Sequence, residues 1–409
     1  MTTYAWRGRN ARGESVSGSL QGESRETIAN QLMNSGITPV DIQRGVDAQK
    51  PGTLGGWRQL FSGNRPESSD LIFFARQMYT LAKAGVPLTR GLNGVAQSTR
   101  NPALKHAVHE LVEEIESGRE LGEAMSRHSD VFSPMFVNMV RVGESSGNLD
   151  NAFQLMSGYL ERDRDMRARI KAALRYPAMV IVAMVIAVAI LMVWVIPVFA
   201  NFFARNDAEL PLPTTIIIGV SNFTAEWWMF IGVGLIGAIV AFRYWIRTER
   251  GRYRWDRMKF RLPVVGDILF RASMARFARA FAMTYRAGVP LIQGLTLVAR
   301  AVENEYVGQA VGDMRTGVEH GESLLRTAEA TGLFSPLVLQ MIGVGEETGD
   351  VDAMLEETAD FYEREVDYDV ENLSSYIEPI LLVFMAVLVL ILALGVFLPM
   401  WDVGRAALG

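Results

Sequence analysis

Cysteine is absent from all 409 residues, which removes disulfides, thiolate metal centres, iron–sulfur clusters and a thiol nucleophile together. No G-x-x-x-x-G-K-[ST] run occurs, so the chain is not itself a P-loop ATPase. Histidine is scarce: His106, His109, His128 and His320 are the whole complement, and none stands in a triad-like relation to a nucleophile. Positive charge is not in excess either. Forty Lys and Arg against 45 Asp and Glu leave a net charge of −5, which argues against nucleic acid as a partner. No cofactor, metal or catalytic group is expected. Apolar side chains, by contrast, make up 49% of the chain and are gathered into three blocks.

Tyr176 to Phe203 carries no charged side chain. A helix of about 20 residues already crosses a hydrocarbon core of roughly 30 Å, so this block is long enough to span. A second block, Thr224 to Phe242, opens with Trp227 and Trp228 and is followed by Tyr244 and Trp245, as aromatic belts at both interfaces require. The third, Ile377 to Met400, is charge-free after Glu378 and meets Trp401. Six basic residues crowd Glu161 to Arg175 and eight crowd Arg243 to Arg261, whereas the segment Asn201 to Glu226 has only Arg205. The positive-inside rule then places the N-terminus in the cytoplasm and the C-terminus on the opposite, outer side. No apolar h-region precedes Tyr4, so a cleaved signal peptide is not expected.

The chain repeats itself. Phe74 to Leu92 matches Phe277 to Leu295 through FAR, AGVPL and GL, and Phe132 to Asp150 matches Phe334 to Asp352 through FSP and G-E-x-[ST]-G-x-[LV]-D. The register continues into the apolar blocks, pairing Pro177 with Pro379 and Pro197 with Pro399. A cytosolic domain plus one span is thus duplicated, with the second span returning the chain to the cytoplasm. Each unit reads as about six short helices: apolar residues recur at helical spacing, glycines stop the helices, and Pro87 and Pro134 sit at first-turn positions. Tyr4, Trp6, Val16 and Leu20 flank a hairpin, Ser24 caps a helix carrying Ile28, Leu32 and Met33, and Ile37 to Ile42 suits a strand.

The predicted fold class is mainly α: an integral membrane protein with three transmembrane helices, two homologous cytosolic helical bundles and a small α+β N-terminal module. The expected boundaries are 1–42 for the module, 43–67 for a linker, 68–175 for the first bundle and 176–203 for the first span. A periplasmic loop at 204–223, a second span at 224–242, a second bundle at 243–376, a third span at 377–400 and a periplasmic tail at 401–409 complete the order.

Several motifs imitate chemistry. Gly143 to Gly147 fits G-x-S-x-G, but a nucleophile elbow needs a strand leading in and a helix leads in here. Gly232, Gly234 and Gly237 fit G-x-G-x-x-G inside an apolar span, where close helix packing is the ordinary use of small residues. His106 and His109 lie one turn apart on what reads as a solvated helix face. The spans carry no ionisable residue at mid-depth, which disfavours a small-solute transporter, the alternative function, and an intramembrane protease. The candidate functional residues are therefore those of the paired motifs. They are Gly85, Pro87 and Gly91 with Gly288, Pro290 and Gly294; Gly143, Glu144, Gly147 and Asp150 with Gly345, Glu346, Gly349 and Asp352; and the span prolines Pro197 and Pro399. Structural turn-making is the main use expected of the Gly-Glu motif, with charge presentation to a partner or an ion as the second. The prolines either kink their spans or end them. Residues 262–376 carry a net −11 against −2 for residues 70–160, which suggests that the two units meet different partners.

These paired motifs, with the Tyr4 to Ile42 leader and the three-span order, resemble the type II secretion F / type IV pilus PilC family of inner-membrane platform proteins over essentially the whole length. The RGRNARGE start and GITP stretch are similar to the mannose-sensitive haemagglutinin pilus branch. The resemblance implies a bacterial inner-membrane platform without catalytic activity. It would form a homo-oligomer with other inner-membrane machine components, contacting a hexameric cytosolic assembly ATPase and pilins or pseudopilins.

Overall fold

The computed structural model describes residues 2–9, 15–22, 25–34, 36, 38–44, 65–191, 194, 196–197 and 212–408, in two units, Met1–Asn64 and Arg65–Gly409. Ser24 and positions 45–64 of the expected linker lie outside the described residues.

In the first unit β1 (Thr2–Arg9) pairs antiparallel with β2 (Ser15–Gly22), setting Tyr4 opposite Leu20 and Gly8 opposite Val16. The other edge of β1 takes β3 (Thr38–Arg44), giving the order β2-β1-β3. On α1 (Arg25–Asn34) Ile28 and Leu32 are buried, four residues apart on one face. Met33, expected with them, is exposed, because one further residue turns it about 100° around the helix axis.

The second unit begins with α2 (Ser68–Lys83), α3 (Leu88–Ser98), α4 (Pro102–Glu116), α5 (Leu121–Ser126), α6 (Pro134–Ser146) and α7 (Leu149–Ile190). Next come α8 (Leu212–Arg247) and α9 (Glu249–Lys259). The six-helix order then recurs as α10 (Val265–Arg286), α11 (Leu291–Ala301), α12 (Glu305–Glu319), α13 (Leu324–Thr331), α14 (Pro336–Thr348) and α15 (Val351–Leu408). Local chemistry sets these boundaries. Asn101 caps α4 by accepting from the Ala103 and Leu104 amides, and Ser133 caps α6 through the Phe136 amide with Pro134 in the first turn.

Each half closes on an aromatic core taken from its repeated motifs. Phe74 of FAR meets Phe132 of FSP at 5.5 Å between ring centroids, and Phe277 meets Phe334 at 4.9 Å. Phe136 and Phe153 complete the first cluster, and Phe281 joins the second. Burial of each such ring contributes about 1.5–3 kcal/mol, and their mutual packing adds to that.

Among the described residues two helices are long and apolar enough to cross a membrane, Leu149–Ile190 and Val351–Val387. Each runs without a break from its bundle into the apolar block, so the expected boundaries at 175/176 and 376/377 fall inside single helices, and α7 continues through Pro177. α8 also differs from expectation. It starts at Leu212, because the chain from Leu212 to Ala225 is charge-free and Pro213 is tolerated in a first turn. Phe230, Val233, Leu235, Ile236 and Val240 of α8 are exposed. The first part of the expected loop, 204–211, lies outside the described residues.

Candidate functional site

The repeated glycines do two different jobs. Gly85 (φ 70°) and Gly288 (φ 83°) end α2 and α10 in the left-handed conformation that costs other residues about 1–2 kcal/mol. Around them the helix-closing bonds recur in register: Val86 donates to the Leu81 carbonyl and Val289 to that of Thr284. Pro87 and Pro290 then sit one residue earlier than expected, immediately before the first helical residue, where their carbonyls accept the first helical bonds from Gly91 and Gly294. A proline has no amide to lose there, so the position suits it.

Gly147 and Gly349 end α6 and α14 with φ of 73° and 82°. Gly143 and Gly345 are there for space. A Cβ on Gly143 would stand 2.6 Å from Ala152 Cβ, and one on Gly345 2.9 Å from Val351 Cα, so α6 and α14 touch the starts of α7 and α15 backbone to backbone.

Glu144 reaches back to α5. Its Oε1 accepts from the Leu121 amide at 2.6 Å and its Oε2 from the Gly122 amide at 2.8 Å. Glu346 treats the first two amides of α13 in the same way, from Leu324 at 2.8 Å and Leu325 at 3.0 Å. Each carboxylate therefore satisfies two amides that have no partner within their own helix, at the end where the helix dipole favours negative charge. Ser145 and Ser146 donate their hydroxyl protons to the Val142 carbonyl, so the G-x-S-x-G stretch is a helix end and presents no nucleophile. His106 and His109 are both exposed on α4.

The two repeated motifs meet through charge. Arg286, just ahead of the second AGVPL, pairs with Asp352 in the first turn of α15 at 3.3 Å. Lys83 and Asp150 are the matching residues in the first half, but there Lys83 lies 3.0 Å from the Tyr79 hydroxyl. The arginine of FAR also recurs as a pair: Arg76 with Glu161 at 2.6 Å, and Arg279 with Glu363 at 2.9 Å. Arg76 is mostly exposed whereas the Arg279 side chain is only 10% exposed and also contacts Asp360 and Glu356.

Sequence reasoning missed the reason for that difference. α7 of the first half lies against α10 and α15 of the second, and Arg162 approaches Asp360 at 3.0 Å and Glu363 at 3.5 Å. Arg169 pairs with Asp367, Arg276 with Asp163 at 2.6 Å, and Arg167 with Glu303 at 2.8 Å. Burial alone would raise the Asp360 carboxyl, but Arg279 and Arg162 outweigh it and hold it below the usual carboxylate range. Asp369 goes the other way: burial pushes it up, assisted by Glu365 and Asp267, despite Arg271. Beside this seam burial, with Asp163, pushes the Tyr159 hydroxyl up. Much of the acidity of the second half is therefore answered by arginines of the chain itself. The available signal was the helical spacing of Glu356, Asp360, Glu363 and Asp367 opposite the basic run of α7.

Pro197 is helical, as is Ile196, and Pro399 stands within α15, which continues to Leu408, so Pro399 does not end its helix.

An all-helical pair of homologous bundles, each extended by a helix able to cross a membrane, defines the class: a duplicated membrane-associated scaffold whose paired motifs build turns and caps. Comparison with known proteins makes the class specific. The domain described as "Type II secretion system (T2SS), protein F" matches twice, at residues 74–197 and 277–399, and that family's N-terminal domain matches residues 1–43. The chain belongs to the type II secretion system protein F family. It is 33% identical to the type IV pilus assembly protein TapC of Aeromonas hydrophila, covering 98% of this chain and 95% of that one. It is 31% identical to the type IV pilus assembly protein PilC of Myxococcus xanthus, with 98% and 95% covered. Identity to the type II secretion system protein F of Pseudomonas aeruginosa is 29%, with 99% of both chains covered. These names do not assign the mannose-sensitive haemagglutinin branch.

Proposed function

We propose that this chain is a non-catalytic platform of the bacterial inner membrane, serving a type IV pilus or type II secretion machine. It couples a hexameric cytosolic assembly ATPase to the extraction and polymerisation of pilins or pseudopilins. The observation that carries the reading is the pair of long helices, α7 and α15, each rooted in a bundle and each continuous with an apolar segment. Their 42 and 58 residues correspond to lengths of about 63 and 87 Å. Arg162, Arg169, Arg276 and their carboxylates clamp the two halves together, so a displacement imposed on one bundle is handed along stiff helices into the bilayer.

In this reading α8 is a third span between the other two. Both bundles and the N-terminal module are cytosolic, the segment 204–211 and the C-terminus are periplasmic, and the platform works as a homo-oligomer beside other inner-membrane components. Family membership and the exposed apolar surface of α8 support it. In-membrane crosslinking of the tagged chain followed by mass spectrometry is the test. Recovery of an assembly ATPase and prepilin-like proteins is expected, and their reproducible absence would overturn the platform. Because the chain lacks cysteine, Ala208→Cys reports topology directly: labelling by a membrane-impermeant maleimide from the periplasm is expected, and protection there would overturn the orientation.

A further inference from the structure

α9 carries a charge arrangement that the scaffold itself does not use. Arg250, Arg254 and Arg257 follow one another at i, i+4 and i+7 on one face of α9, and with Arg261, in the turn just past its end, they line an open cavity of about 500 Å³ together with Tyr253 and Gln309. The other basic residues of the helix are engaged: Lys259 pairs with Asp256 at 2.6 Å, and Arg252 lies near Asp256 and Glu305. Asp256 itself is buried, and its Oδ2 accepts from the Glu305 amide at 2.8 Å, so the acid faces the protein. Among the described residues no carboxylate pairs with any of the four arginines. One acid, Glu249, borders the cavity, in the first turn of α9. Arg257 is steadied over the Tyr306 ring at 5.5 Å.

The stripe is also held at a definite level. α9 leaves α8 through an elbow so tight that a Cβ on Gly251 would fall 1.9 Å from the Trp245 carbonyl oxygen, and Thr248 caps the new helix through the Gly251 amide. Trp255 packs edge-on against Phe242 at 4.9 Å. The start of the arginine stripe is thereby held next to the end of α8 that exposes Tyr244 and Trp245. If α8 spans the bilayer, as proposed above, that end lies at the headgroup level of the cytoplasmic leaflet, where anionic phosphates are the available partners.

We propose that the α9 cavity is a binding site for the phosphate of an anionic phospholipid, gripped by Arg250, Arg254, Arg257 and Arg261. Guanidinium forks match phosphate oxygens in pairs, and the aromatic residues beside them suit the boundary between headgroup and acyl chain. The site fixes the second bundle against the membrane at the root of its connector.

The test uses the full chain in neutral detergent micelles doped with fluorescent phosphatidylglycerol, read by fluorescence anisotropy. Replacing all four arginines with Gln should weaken binding, by about fivefold per arginine removed. The four-Lys variant should keep most of the binding, and Arg90→Gln/Arg100→Gln/Lys105→Gln, which removes three positive charges elsewhere, should leave it unchanged. Unaltered binding by the four-Gln variant, with its thermal unfolding also unaltered, would overturn the site. Displacement of the lipid by equimolar glycerol 3-phosphate would assign the cavity to soluble phosphates and overturn the lipid reading. Gly234→Cys, in the middle of α8, separates this proposal from the span on which it rests. Shielding from a water-soluble maleimide in membranes keeps the span whatever the lipid result, and ready labelling would overturn both.

Discussion

Replacing Glu144 with Ala strips two backbone amides of their acceptor at once, and Glu346→Ala does the same in the second half. Loss of an ordinary N-terminal cap costs about 0.5–2 kcal/mol, and a hydrogen bond to a charged acceptor is worth roughly 1.5–3 kcal/mol when buried. The Leu121 and Gly122 amides are only partly buried and water can reach them, so about 2–3 kcal/mol per glutamate is the reasonable sum. For the second unit, Arg65–Gly409, that lowers the midpoint of thermal unfolding by roughly 3–5 °C. Differential scanning fluorimetry of the full chain in detergent reads the shift, and filament assembly or secretion in cells reads the function. Glu→Gln, which keeps one acceptor oxygen, should lose about half as much stability as Glu→Ala. A Glu144→Ala chain that unfolds at the wild-type temperature yet fails to support assembly would refute the capping account and give the side chain to a partner.

Three further outcomes follow from the same contacts. Arg279→Ala should destabilise by about 2–4 kcal/mol in thermal unfolding because three carboxylates lose their common partner in a mostly buried place, whereas Arg76→Ala, at an exposed pair, should leave the midpoint unmoved. Gly143→Ala and Gly345→Ala should each cost about 1–3 kcal/mol, since neither added methyl can be accommodated without moving a helix; unfolding of the purified variants checks this. The pH profiles of two carboxylates should oppose each other. Asp360 has a lowered folded pKa, so its contribution is present above the unfolded carboxylate value of about 4 and is lost as pH falls through the folded value; wild type and Asp360→Asn should converge in acid. Asp369 has a raised folded pKa, so what it contributes is present below that unfolded value and lost as pH rises through the folded one; Asp369→Asn should gain on wild type toward neutral pH.

The duplication, the helical character of both halves and the apolar blocks were all legible in the chain, because each rests on local signals. Phe74 and Phe277 with their AGVPL partners, Ser133-Pro134, and the charge-free run after Tyr176 announce core, cap and span without reference to anything distant. Element ends were less legible. The start of α8 at Leu212 and the burial of Leu32 without Met33 depend on how far a helix runs and which way one face turns.

Glu144 and Glu346 show the limit most clearly. Their pairing in the sequence marked them as special, but the amides they hold lie about 22 residues earlier, at Leu121 and Leu324, and no spacing rule connects a carboxylate to a backbone group brought near by a turn. The same holds for the acidic second half. Charge counting read its excess as a surface for outside partners, and only the approach of α7 and α10 to α15 assigned Asp360, Glu363 and Asp367 to Arg162, Arg169 and Arg279. Short-range preferences of proline, glycine and apolar side chains act within a few residues and are therefore written in the order of the chain. Which carboxylate meets which amide or guanidinium depends on where two helices far apart in sequence come to rest, and packing of the aromatic cores decides that.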